Sequence, residues 1–199
     1  TQIEDGESYA TCTGPLVVPS SGALLNGEYY YARVFAYNQI GYSLPQTAFS
    51  PEKPMTVPGL PTSVTIETVS SSELRVYFSP PSADGGDDVT GYLIEWATAA
   101  DFSNALNATF SYLDGGAPFT RKIEGLTQGT FYYVRVRAAN SQGYGDAQVS
   151  TPSSLNPYEE SSAPTGVALG VTSDTMLTVS FASPEDDGGD AVTAYLVEW

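Results

Sequence analysis

Two parts of this chain are copies of two other parts. Residues 61–96 (PTSVTIETVSSSELRVYFSPPSADGGDDVTGYLIEW) align without gaps on residues 164–199 (PTGVALGVTSDTMLTVSFASPEDDGGDAVTAYLVEW) and match at 18 of 36 positions. Residues 24–43 (LLNGEYYYARVFAYNQIGYS) align in the same way on residues 126–145 (LTQGTFYYVRVRAANSQGYG). Self-similarity with a period near 100 residues limits the fold to a string of like units, each smaller than the chain. The 199 residues therefore do not read as one large domain or two ordinary ones. They read as the C-terminal part of one unit (1–57), a complete unit (58–157) and the N-terminal part of a third (158–199). The expectation is a fragment of a longer tandem array.

The complete unit carries the period-2 pattern of half-buried strands. Leu74, Val76 and Phe78 alternate with Arg75 and Tyr77, and Tyr92, Ile94 and Trp96 alternate with Leu93 and Glu95. The longest run places Tyr132, Val134, Val136 and Ala138 on one face and Tyr133, Arg135 and Arg137 on the other. Turn-forming groups separate these runs: Pro80-Pro81, Asp84-Gly85-Gly86, Asp114-Gly115-Gly116 and Ser141-Gln142-Gly143. No segment sustains a helical period. Short strands between turns over about 100 residues predict an all-β, immunoglobulin-like antiparallel β-sandwich, repeated in tandem.

Four stretches of this unit, in order, carry a resemblance to the fibronectin type III domain. They are Pro61-Thr62-Ser63-Val64; Leu74-x-Val76-x-Phe78-x-Pro80 with Asp84-Gly85-Gly86 and Tyr92-x-Ile94-Glu95-Trp96; Gly125 to Asn140, with Leu126, Gly129, Tyr132, Val134, Val136 and Ala138; and Gly143-Tyr144-Gly145. Both partial units resemble the corresponding parts. The resemblance implies a tyrosine corner, Leu126 with Tyr132 and Leu24 with Tyr30, whose hydroxyl bonds to backbone a few residues upstream. Phe78 and Phe181 stand where the family usually has Trp, with Trp96 as a candidate to make up the volume. The family's Arg-Gly-Asp attachment signal is missing from the loop Asn140 to Gly145.

Composition narrows the function. With no His, the chain can build no Ser-His-Asp or Cys-His machinery and no His-ligated zinc site. Seven Lys and Arg against 23 Asp and Glu leave a net charge of -16, which argues against binding nucleic acid or an anionic membrane surface. No stretch of the sequence approaches the roughly 18 continuous apolar residues of a membrane span. The proline-rich joints, Ser50 to Pro58 and Thr151 to Pro164, either stiffen an extended array or simply terminate edge strands.

Candidate sites follow from residue type. The loops containing Asp84, Asp87 and Asp88, and Asp186, Asp187 and Asp190, fall at the same place in successive units, and clustered carboxylates suit calcium. Their spacing is not that of an EF-hand, and Asp and Gly equally suit a solvated turn. Asn107-Ala108-Thr109 is a glycosylation sequon. Cys12, the lone cysteine, is a candidate for an intermolecular disulfide or a small buried hydrophobe. Tyr29, Tyr31, Phe131 and Tyr133 are candidates for an outer interaction face, and Arg135 and Arg137 are expected to pair with local acids. The expected function is a non-catalytic structural or adhesive segment of a large extracellular or cell-surface protein. Its expected partner is protein, through self-association or neighbouring repeats, and it needs no cofactor. An accessory module of a secreted enzyme or receptor, and an intracellular scaffold repeat, are the alternatives.

Overall fold

The computed structural model describes residues 2–4, 7–9, 24–111 and 117–199. Cys12 and the Asp114-Gly115-Gly116 turn lie outside the described residues. In the first unit, β1 (Gln2–Glu4) pairs with β2 (Glu7–Tyr9). Further on, β3 (Arg33–Val34), β4 (Tyr37–Asn38), β5 (Gly41–Tyr42) and β6 (Gln46–Thr47) form the antiparallel pairs β3–β6 and β4–β5.

The central unit contains β7 (Thr62–Ser70), β8 (Glu73–Ser79), β9 (Gly91–Ala97), β10 (Leu106–Ser111), β11 (Phe119–Ile123), β12 (Tyr132–Asn140), β13 (Gly143–Tyr144) and β14 (Gln148–Leu155). One layer runs β7-β8-β11 and the other β10-β9-β12-β14, with β13 on β12. A parallel bridge, Thr151 to Thr65, links the layers along one edge. The two layers face each other as a β-sandwich.

The period-2 pattern decides which side chains lie between the layers. Leu74, Val76, Phe78, Val134, Val136 and Ala138 have no exposed surface, while their sequence neighbours Arg75, Tyr77, Arg135 and Arg137 face outward. Phe78 is packed by Tyr92 and Phe119, at ring-centroid distances of 4.9 and 5.6 Å. Trp96 is half-buried at the margin of the core, so Tyr92 and Phe119 are the rings that pack directly on Phe78.

The flanking segments keep the register of the central unit. In the first unit Arg33 pairs with Thr47 and Asn38 with Gly41, as Arg135 pairs with Val149 and Asn140 with Gly143. In the third, β15 (Thr165–Val171) pairs with β16 (Leu177–Ala182) as β7 pairs with β8. Phe181 meets Tyr195 at 4.8 Å, the counterpart of Phe78 on Tyr92.

Candidate functional site at the interdomain joints

The acidic Gly-Gly loop before β9 points into the junction with the preceding unit. Gly85 and Gly86 have φ of 80° and 83°, and their counterparts Gly188 and Gly189 have 79° and 83°. This left-handed backbone is open to glycine at no steric cost. Asp84 accepts a hydrogen bond from Gly86 N at 2.8 Å, and Asp187 one from Gly189 N at 2.9 Å. The aspartates thus stabilise a turn that presents bare backbone to its neighbours.

Each loop is then bonded to the linker. Thr56 N donates to Gly85 O (2.9 Å) and Gly59 N to Ala83 O (2.9 Å). One period later, Glu159 N donates to Gly188 O (2.8 Å) and Ser162 N to Asp186 O (2.9 Å). The linker is bonded in turn to the unit before it: Gly27 N donates to Pro54 O (3.0 Å) and Gly129 N to Pro157 O (2.9 Å). A donor on the linker closes the set. Lys53 Nζ reaches Gly86 O at 2.8 Å, and Asn156 Nδ2 reaches Gly189 O at 2.8 Å.

The glycines also make the contact sterically. A Cβ on Gly85 would lie 2.2 Å from Thr56 O, and one on Gly188 would lie 2.2 Å from Glu159 O. A Cβ on Gly86 would lie 2.3 Å from Gly27 N, and one on Gly189 would lie 2.8 Å from Gly129 N. No side chain fits such gaps, so the close approach of the two units depends on glycine at these positions. Buried Asn140, at the end of β12, adds two donor bonds of 2.8 Å, to Thr56 O and Asp84 O.

Charge differs between the joints although geometry does not. In the first, Lys53 stands 3.7 Å from Asp87. Hydrogen bonding from Ser141, with the nearby Lys53 ammonium, holds the Asp87 carboxyl below the usual aspartate range. In the second, neutral Gln128 donates to Asp186 at 3.2 Å. The loop carboxylates Asp84, Asp88, Asp186, Asp187 and Asp190 are exposed. Among the described residues no three or more acidic or thiol groups converge into a set that could hold a metal ion.

The tyrosine corner stands beside each joint. Thr127 N donates to the Tyr132 hydroxyl at 3.1 Å, and Leu25 N to the Tyr30 hydroxyl at 2.7 Å. That bond shapes the turn carrying Gly129 or Gly27. On the outer face of the central unit, Glu95 takes Arg135 in two bonds (2.8 and 2.9 Å) and Arg137 in one (3.1 Å). Arg135, first, and then Arg137 hold the Glu95 carboxyl below its usual range against the opposing effect of burial. Phe102 covers the Arg135 guanidinium at 4.1 Å. Tyr29, Tyr31 and Phe131 are exposed and Tyr133 half-buried, and Asn107 is exposed on the edge strand β10.

Sequence reasoning missed Lys53, Asn156, Gln128 and the joint role of Asn140. The signal was present in the repeat, since Gly27, Gly85 and Gly86 recur as Gly129, Gly188 and Gly189. What a single sequence hides is that these glycines touch.

Fold and joints together define a tandem β-sandwich module. The central unit belongs to the fibronectin type III family, whose profile, the fibronectin type III domain, matches residues 59–155. Ankyrin repeat and fibronectin type-III domain-containing protein 1 of Homo sapiens is 36% identical over 100 residues, covering 50% of this chain and 9% of that protein. Fast-type myosin-binding protein C of Gallus gallus is 33% identical over 144 residues, covering 72% of this chain and 12% of that protein. A crystal structure of domains from titin covers 68% of this chain and 43% of its own, at 22% identity and a TM-score of 0.49. The chain thus spans roughly a tenth of the curated relatives it matches. Its units are repeat modules of a kind found in proteins such as these. The extracellular or cell-surface setting expected from sequence draws no support from a relative named for binding myosin. No helix among the described residues is long and apolar enough to cross a membrane.

Proposed function

We propose that the chain is a non-catalytic structural segment of a tandem array, whose work is to hold successive sandwiches at one fixed relative orientation. The observation that carries this reading is the joint built twice, with the same hydrogen bonds and the same glycine contacts one period apart. A flexible tether would not need glycines whose Cβ positions are filled by the neighbouring backbone. Proline carbonyls as bond acceptors in both linkers fit the same role. Its partners are protein, either neighbouring repeats or a second array in lateral contact through outer strand faces.

Residual dipolar couplings test this directly. Amides of residues 24–50 and 59–155 are expected to fit one alignment tensor. Two unrelated tensors would sink the fixed-joint reading.

For the setting we keep a large extracellular or cell-surface protein, supported by the sequon at exposed Asn107. The relative named for binding myosin supports the alternative of an intracellular scaffold. The peptide mass of native material tests the alternative: a glycan on Asn107 excludes the intracellular scaffold.

A further inference from the structure

The two joints share geometry but differ at one linker position, where Lys53 in the first becomes Asn156 in the second. Both side chains donate to the same glycine carbonyl at 2.8 Å. Only Lys53 also faces an opposite charge, Asp87 at 3.7 Å, with both side chains about a quarter exposed. Building on the fixed-joint reading, we propose that this position sets how each joint responds to ionic strength: Lys53 makes the first joint loosen in salt, and Asn156 makes the second indifferent to it.

The physical reason is screening. Between about 0.01 M and about 1 M salt the Debye length falls from roughly 30 Å to roughly 3 Å. An attraction between partly exposed charges weakens over that range, whereas an amide-to-carbonyl bond carries no net charge to screen. The other charges at the second joint, Asp186, Asp187, Asp190, Glu159 and Glu160, are all acidic and repel one another. Salt relieves that repulsion, so it closes the second joint if it acts at all. The first joint also carries Glu52, Asp84 and Asp88, but there Lys53 adds an attraction that salt removes.

Each joint has its own reporter, the Gly27 amide bonded to Pro54 and the Gly129 amide bonded to Pro157. Amide exchange of the whole chain, followed by NMR, is expected to accelerate about two- to fivefold at Gly27 between low and high salt, the Boltzmann equivalent of an exposed ion pair. Exchange at Gly129 is expected to stay constant or slow. Lys53→Asn is expected to abolish the response at Gly27 by lowering its low-salt protection to the level the native joint shows in high salt, and Asp87→Asn to do most of the same. The reciprocal Asn156→Lys brings a cation beside Asp190, the counterpart of Asp87, and is expected to transfer the response to Gly129.

Protected amides that respond equally to salt, or a response that survives Lys53→Asn, would overturn the proposal and leave the fixed joint standing. Exchange at unprotected rates at both glycines in low salt would overturn the fixed joint itself. Asn156 is buried, so if its Lys variant unfolds locally, the Lys53 and Asp87 variants decide.

Discussion

A Cβ built on Gly86 would lie 2.3 Å from the backbone nitrogen of Gly27, a residue of the preceding unit. Gly86→Ala must therefore move the backbone of one unit against the other, and it adds the strain of a side chain at φ 83°. Gly125 is the control, since it has φ 71° and nothing within 4 Å of its Cβ position. Both substitutions are expected to cost about 1–2 kcal/mol from left-handed strain. Only Gly86→Ala should also speed exchange of the Gly27 amide. Equal protection of Gly27 in the two variants would remove the steric account of the joint.

Phe78 is fully buried between the two layers, packed by Tyr92 and Phe119. Truncating a buried phenylalanine removes its transfer free energy and leaves a cavity, so Phe78→Ala is expected to cost about 3–5 kcal/mol. Urea unfolding followed by tryptophan fluorescence measures the loss. A cost below about 1 kcal/mol would mean that Phe78 is not enclosed in solution.

Glu95 makes charge-assisted bonds to Arg135 and Arg137. Glu95→Gln should cost about 1–3 kcal/mol at neutral pH, because Arg135 loses its ionised partner. The carboxyl is held below its ordinary value, near about 4.3 for an unfolded glutamate. A depressed folded value contributes stability above the unfolded value and loses it as pH falls through the folded one. Unfolding midpoints between pH 6 and pH 3 should therefore fall more steeply in the native protein than in Glu95→Gln. Parallel slopes would exclude Glu95 as a source of acid sensitivity.

The Tyr132 hydroxyl accepts the Thr127 amide at the turn leading to Gly129. Tyr132→Phe preserves the ring in the core and leaves that amide without its acceptor, at a cost of about 1–3 kcal/mol. Exchange of the Thr127 amide should rise with it. An unchanged melting temperature would show that water replaces the hydroxyl without loss.

The alternation of Leu74, Val76 and Phe78, and of Val134, Val136 and Ala138, is enough to assign the inner faces of the central sandwich. A strand turns successive side chains to opposite sides, so burial of one face follows from pattern alone. The tyrosine corner was legible through the family resemblance, and the pairing of Arg135 and Arg137 with an acid through their exposed place on the strand in a chain rich in carboxylates. The linkers were legible only in part. Their prolines were visible, but not the bonds from Gly27 and Gly129 that tie them down.

The repeat, the strands and the identity of the inward residues were determined by the sequence. The repeat is self-similarity of the sequence itself, and the others depend on residues near one another along the chain. Only the tertiary structure decided which inward residues close on one another, such as Phe78 on Tyr92 and Phe119, since that belongs to whatever lies across the core. It also decided that the acidic loops serve as glycine-led contacts between units. Asp84 and Asp187, though exposed, accept bonds from their own loop backbone, and the glycines they hold meet a neighbour far away in sequence. No spacing rule records a contact of that kind, because it forms only when both units are folded and placed against each other.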